Sequence, residues 1–239
     1  VLVPVHEKPE EFVQKLKNWR DNPNSEPDIE KWYNTVYKNP AKVDNDGIQR
    51  PAFLRIKKHD ADYDDNNDKE VIEKELALVP DNHKALLDRE GVTIETGYNI
   101  SRYDRKNKII MVGKDPEQGE VIHEIGHAIE TILDLYNNED FLNVLYKGTE
   151  IISFENIIYD KDTFGKPIIR VEMDKLISEY QGRLYEDVGI FTDDMKVNIM
   201  AMKEYFSEGY REFFINPENL KRKDEALYNF IKRNGATWV

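Results

Sequence analysis

Apolar positions recur along most of this chain at one of two periods, and the order in which the period changes predicts the elements. Between residues 9 and 20, PEEFVQKLKNWR sets Phe12, Leu16 and Trp19 at helical spacing behind Pro9 and two glutamates, which predicts an opening helix with one narrow buried stripe. Turn formers at 21–28 lead into a second helix through Trp32, Tyr33, Val36 and Tyr37, with Asp28 as its cap. Two tryptophans this close predict docking onto another surface. After the turn-rich NPAKVDNDG at 39–47, AFLRIK at 52–57 reads as a short strand, and the charge run HDADYDDNNDKE follows. Asp60, Asp62 and Asp64 have the spacing of a calcium loop's first ligands, but Asp65 stands where that loop needs Gly and Val71 where it needs Glu. A solvated linker is expected instead. The boundary falls there, giving an N-terminal helical segment with an acidic linker at 1–65 and a main domain at 66–239.

The main domain opens with helical patterns at 69–78, closed by Pro80, and at 82–90, ending at Gly91. The β-branched runs VTIETGYNI (92–100) and KIIMVG (108–113) are expected to form a small sheet or hairpin through the polar SRYDRKN. KDPEQGE then leads into GEVIHEIGHAIETILDL at 119–135, whose Val121, Ile122, Ile125, Ala128, Ile129, Ile132 and Leu133 predict a largely buried helix. Another helix follows at 137–147, capped by Asn137 or Asn138. The stretch 148–194 mixes strand-like pieces with glycines and reads as an insertion or a hairpin over a cleft. Thr192 or Asp193 caps a long helix that runs to Pro217, and ENLKRKDEALYNFIKR makes a terminal helix docked on the core. The expected fold class is α+β, mainly helical, with a small β-sheet.

Bulk properties narrow the function. With 39% hydrophobic residues the chain can bury a core, yet no apolar run approaches the ~18 residues of a membrane span, so no integral membrane segment is expected. A formal charge of −13 argues against nucleic-acid partners and for an acidic cleft that takes basic peptide segments. Without cysteine there are no disulfides and no thiolate ligands, so a metal could be held only by His, Asp, Glu or water. The chain starts at Val1 with no initiator Met, as a mature product or an excised piece would.

His123-Glu124-Ile125-Gly126-His127 supplies the chemistry. Residues four apart share one helix face, so the two imidazoles can meet one metal ion, and Glu124 beside them can take a proton from a water there. Two histidines leave the site short of a protein ligand. Glu204 and Glu208, four apart on a helix otherwise rich in Met, Phe and Tyr, are the candidates: Glu204 as ligand, Glu208 as the group that orients a ligand. No phosphate-cradling loop, Cys–His pair or G-x-S-x-G elbow competes with this helix.

HEIGHAIE at 123–130 followed by EYFSEGYREFF at 204–214, with the tail PENLKRKDEALYNFI and the entry EKELALVPDNHKALLDREGVTIETG at 73–97, resembles the anthrax lethal factor type of zinc metallopeptidases, whose relatives include secreted clostridial Pro-Pro endopeptidases. The resemblance spans about residues 70–239 and is looser over 140–195; HEIGH alone indicates only a zincin. It implies Zn²⁺ held by His123, His127 and Glu204, with Glu124 as general base, in a gluzincin-type endopeptidase. It also implies a tyrosine that helps stabilise the oxyanion. Relatives carry that tyrosine seven residues before the ligand glutamate, where this chain has Val197. Ser178-Glu179-Tyr180-Gln181-Gly182-Arg183 is the nearest local likeness, which makes Tyr180 the candidate and Tyr185 the reserve. The expected protein is a secreted bacterial toxin or toxin-like virulence component, delivered into a host cell if residues 1–60 bind a protein carrier or translocation partner. Its protein or peptide substrate would lie extended along the edge of the small sheet. The alternative is a catalytically inactive binding module of the same fold.

Overall fold

A computed structural model describes residues 41–43, 49–51, 56–59, 63–149, 152, 154–162, 165–193 and 196–238. The helices expected at 9–20 and 28–37 lie outside them, as do Asp60, Asp62 and residues 52–55. The chain divides into two units between Leu54 and Arg55, upstream of the 65/66 boundary expected from the charge run. The first contributes an antiparallel pair, β1 (Ala41–Val43) with β2 (Gln49–Pro51), on either side of residues 44–48.

The second unit is α+β and mainly helical. Its first sheet has the order β3-β4-β6-β5, with β3 (Ile56–Lys58) and β6 (Ile109–Gly113) parallel to β4 (Thr93–Tyr98) and only β5 (Arg102–Asp104) antiparallel. The two β-branched runs are therefore not hairpin partners. The hairpin is β5–β6, because Asp104 accepts from the backbone of Lys106 and Asn107 at 3.0 and 3.1 Å and turns the chain inside the polar connection. Ile94, Ile110 and Val112 put the paired parallel strands in the core. Between β3 and β4 run α1 (Asn66–Leu78) and α2 (Asp81–Arg89). Buried Asp65 joins β3 to α1 through Lys58 and Lys69 at 3.1 and 3.2 Å, which is why the charge run belongs to this unit.

Helix α3 (Glu120–Ile132) carries the histidines and is buried almost all round. Glu75 of α1 caps it: the carboxylate accepts from Gly119 N at 2.5 Å and Ile122 N at 3.0 Å. Asn138 caps α4 (Glu139–Thr149) by accepting from Phe141 N at 3.0 Å. Residues 148–194 contain a second antiparallel sheet, β7 (Ile157–Lys161), β8 (Pro167–Val171) and β9 (Arg183–Leu184), in that order.

The long helix expected from Thr192 or Asp193 is only α5 (Tyr205–Ile215). Asn198 ends the pattern upstream: its side chain accepts from Met200 N at 3.1 Å and donates to the carbonyls of Val188 and Gly189 at 2.9 Å, bonds incompatible with a continuing helix. The tail likewise splits, into α6 (Pro217–Lys223) and α7 (Glu225–Gly235), where Asp224 caps the second by accepting from Leu227 N at 3.0 Å. Pro217 opens a helix as well as closing one. Helices α3 and α5 cross closely. A Cβ on Gly126 would lie 2.8 Å from Ser207 Cα, so only glycine fits at this crossing without movement. Among the described residues no helix is long and apolar enough to cross a membrane.

Candidate metal centre

Helix α3 presents His123 and His127 one turn apart, and Glu204 enters from the residue that precedes α5. One ligand atom from each lies within 4.8 Å of the others. Glu204 Oε2 is 3.2 Å from His123 Nε2 and 2.9 Å from His127 Nε2. The far nitrogens are turned to other carboxylates: His123 Nδ1 lies 2.8 Å from Glu208 Oε1, and His127 Nδ1 lies 3.6 Å from Glu130 Oε1, an ion-pair distance. That arrangement fixes both rings with Nε2 facing inward, the orientation a ligating imidazole needs. The carboxylates are held in turn. Glu208 accepts from Ser178 Oγ and from Arg211 at 3.0 Å, Glu130 pairs with Arg105 at 2.9 Å, and Glu204 Oε1 accepts from the Tyr185 hydroxyl.

The electrostatics fit a cation at this point. Burial works against charging either imidazole, but the carboxylates outweigh it: Glu204 and Glu208 raise His123 to about 9, and Glu130 and Glu204 raise His127 to about 10. Burial works the other way on Glu204, and the two histidines still hold its carboxyl well below the usual range. Buried His123 and Glu204 and half-buried His127, with Glu208 and Glu130 behind the rings, thus gather negative charge around one point. Two imidazoles and a carboxylate, with no thiolate in the chain, suit a borderline divalent ion such as zinc.

Glu124 lies 6% exposed with Oε2 unpartnered, and burial pushes its carboxyl up against the pull of His123 and His127. The backbone of Tyr103 on β5 hydrogen-bonds it, so the sheet's outer strand runs beside this carboxylate. Both sequence candidates for the tyrosine reach the centre. The ring of Tyr180 is 5.7 Å from that of His123, and its hydroxyl shares a hydrogen bond with that of Tyr185. Burial and the nearby Glu204 raise both phenols, so each is a neutral donor.

Sequence reasoning missed Glu130, Arg105, Ser178, Arg211 and the cap Glu75. Glu130 follows His127 by three residues and Arg211 follows Glu208 by three, so both were open to the same helical-face argument; Arg105, Ser178 and Glu75 sit on separate elements with no spacing to betray them. Two cations stand beside the carboxylates: Arg183 lies 5.0 Å from the ring centre of Tyr185, and Lys203 lies 5.5 Å from it.

No protein-family model matches the chain. No curated protein matches it either. Among solved structures, the Pro-Pro endopeptidase PPEP-2 from Paenibacillus alvei is similar at 15% identity and a TM-score of 0.48, over 77% of this chain and 99% of that one.

Proposed function

We propose that this protein is a zinc-dependent endopeptidase of the lethal factor-like type, acting as a secreted, toxin-like component. The observation that carries the reading is the convergence of His123, His127 and Glu204 within 4.8 Å beside a buried Glu124 that has no other assigned task. An inactive binding module would have no need of the complete set. A bound zinc ion supplies Lewis acidity, which polarises a carbonyl and makes water acidic near neutrality.

The chain's own residues do the rest. Glu124 takes a proton from the attacking water as its oxygen bonds to the carbonyl carbon, then delivers that proton to the amine nitrogen as the C–N bond breaks. Its upward shift suits a carboxylate that must hold a proton between the two steps. Tyr180 donates a hydrogen bond to the oxyanion, while Tyr185 holds Glu204. The substrate lies antiparallel along β5, the outer strand whose Tyr103 backbone already meets Glu124.

Glu124→Gln tests this reading, because it keeps size and hydrogen bonding but cannot accept the proton. Zinc content should stay near one per chain while peptide hydrolysis falls by about 10² to 10⁴. Full activity in the variant removes Glu124 from the mechanism, and a wild-type protein that retains no zinc without chelator removes the enzyme reading altogether.

A further inference from the structure

We propose that the cleft beside the metal centre reads an acidic side chain of the substrate, through a cationic subsite formed by Arg183 with Arg170. The inference rests on the peptidase reading and adds the chemistry of the residue recognised. Arg170 on β8 and Arg183 on β9 are direct register partners in an antiparallel pair, so their side chains leave the same face of the sheet about 4.5–5.5 Å apart at Cβ. Like charges in that position repel, and Asp160 and Glu179 beside Arg170 relieve only that half of the pair.

Of the two guanidinium groups, Arg170 is paired with carboxylates and Arg183, among the described residues, is not. Arg170 is 8% exposed and spends Nε and Nη2 on Asp160 at 3.4 Å, with Glu179 a further 3.6 Å from Nη2. Its Nη1 is buried with no hydrogen-bond partner, so Arg170 backs the subsite with charge and Arg183 offers the accessible donors. Arg183 is half-buried and packs against two rings, 5.7 Å from the centre of Tyr180 and 5.0 Å from that of Tyr185. Among the described residues no carboxylate pairs with it. Lys203, on the same tyrosine, is already taken by Asp187 at 2.5 Å.

Cation–π contacts of this kind hold a guanidinium beside the rings without using its N–H donors, which suits a carboxylate taken by two parallel bonds. The two rings also set the distance from the chemistry. Tyr180 borders His123 and Tyr185 bonds Glu204, so the subsite is one aromatic ring removed from the metal ligands and within reach of a residue close to the scissile bond. A free Asp or Glu side chain is the occupant of matching size and charge.

The zinc-loaded full chain is incubated with a degenerate library of acetylated, amidated peptides, and cleavage sites are read by mass spectrometry. Asp or Glu should exceed Asn or Gln by roughly tenfold to a hundredfold at one position within about three residues of the bond, the worth of a charge-assisted hydrogen bond. On peptides paired as Glu and Gln at that position, Arg183→Gln should bring the ratio of kcat/KM close to one, Arg183→Lys should restore part of it, and Arg183→Glu should favour Lys. Cleavage with no acidic preference, or a preference that survives Arg183→Gln, overturns the subsite and leaves the peptidase standing. A preference confined to peptides with free carboxyl ends overturns the side-chain assignment. If no peptide is cut, the peptidase reading and the subsite fall together. The wild-type profile decides the matter even if a variant fails to fold.

Discussion

Gly126→Ala adds one methyl group at the crossing of α3 and α5. The new Cβ would lie 2.8 Å from Ser207 Cα, 3.2 Å from its Cβ and 3.3 Å from its carbonyl oxygen. Carbon atoms rest at about 3.5–4.0 Å, so the helices must part by roughly 0.7–1.2 Å, and the obstacle is backbone that cannot rotate away. Overpacking of this kind costs about 1–3 kcal/mol, while replacing a mid-helix glycine by alanine returns about 1 kcal/mol. The metal-free protein should therefore lose only about 0–2 kcal/mol, a few degrees of Tm for a chain of this size. The metal site has far less tolerance. His123 on α3 and Glu204 at the start of α5 each stand three residues from the clash, and ligand distances are held to about 0.2 Å. Zinc affinity should fall by at least about tenfold to a hundredfold, the loss that misplaced ligands typically bring. Competition against a chromophoric chelator, beside thermal melts of metal-free protein, measures the two effects separately. Wild-type zinc affinity with an unchanged melt would refute the claim that this crossing sets the ligand geometry.

Glu204→Ala should abolish tight zinc binding, whereas Glu208→Ala should weaken it only about 10–100-fold by freeing the His123 ring; the reverse ranking in dialysis and metal analysis would move the ligand one turn. Because His123 and His127 are raised to about 9 and 10 without metal, both are protonated at neutral pH and zinc must displace those protons. Calorimetry in buffers of different ionisation enthalpy should show about two protons released, with affinity rising from pH 7 to 9, and no release would contradict the clustered geometry. The same raised values stabilise the metal-free fold below pH ~6.5, a contribution lost as pH climbs through about 9 to 10, so metal-free melts should weaken over that alkaline range. Tyr180→Phe should lower turnover by about 10² to 10³ with zinc content intact, whereas full activity would hand the oxyanion to another donor.

How far the sequence could be read depended on whether a residue lay inside a periodic stretch. His123, Glu124 and His127 were legible because a buried 3.6-residue pattern put two imidazoles on one face. Glu204 and Glu208 followed from a carboxylate pair in an otherwise apolar helix. Strand β5 has three residues, fewer than any periodicity window needs, and so the parallel pairing of β4 with β6 was invisible. Asn198 and Asp224 broke helices through side-chain bonds whose partners only the folded chain brings near. Arg183 and Tyr185 arrive through a two-residue strand and the residue after it, so only the local likeness around Tyr180, and no periodicity, pointed to them. The net charge could not place Arg183 beside the centre, because the sum over a chain says nothing of which charges line one cleft.

Glu204 follows His127 by 77 residues, and this chain has no cysteine with which to tie such distant points together. An ion gripped by both would act as a reversible cross-link that closes the intervening loop. By loop entropy alone, closing a span of that size removes roughly 4 kcal/mol worth of freedom from the unfolded chain. The Tyr180 to Arg183 turn and the β7–β8 hairpin both lie within the closed span. Chelation should therefore make cleavage by an added protease faster between residues 127 and 204 than elsewhere in the second unit. Zinc supply in the surroundings would then govern the lifetime of the molecule as well as its turnover.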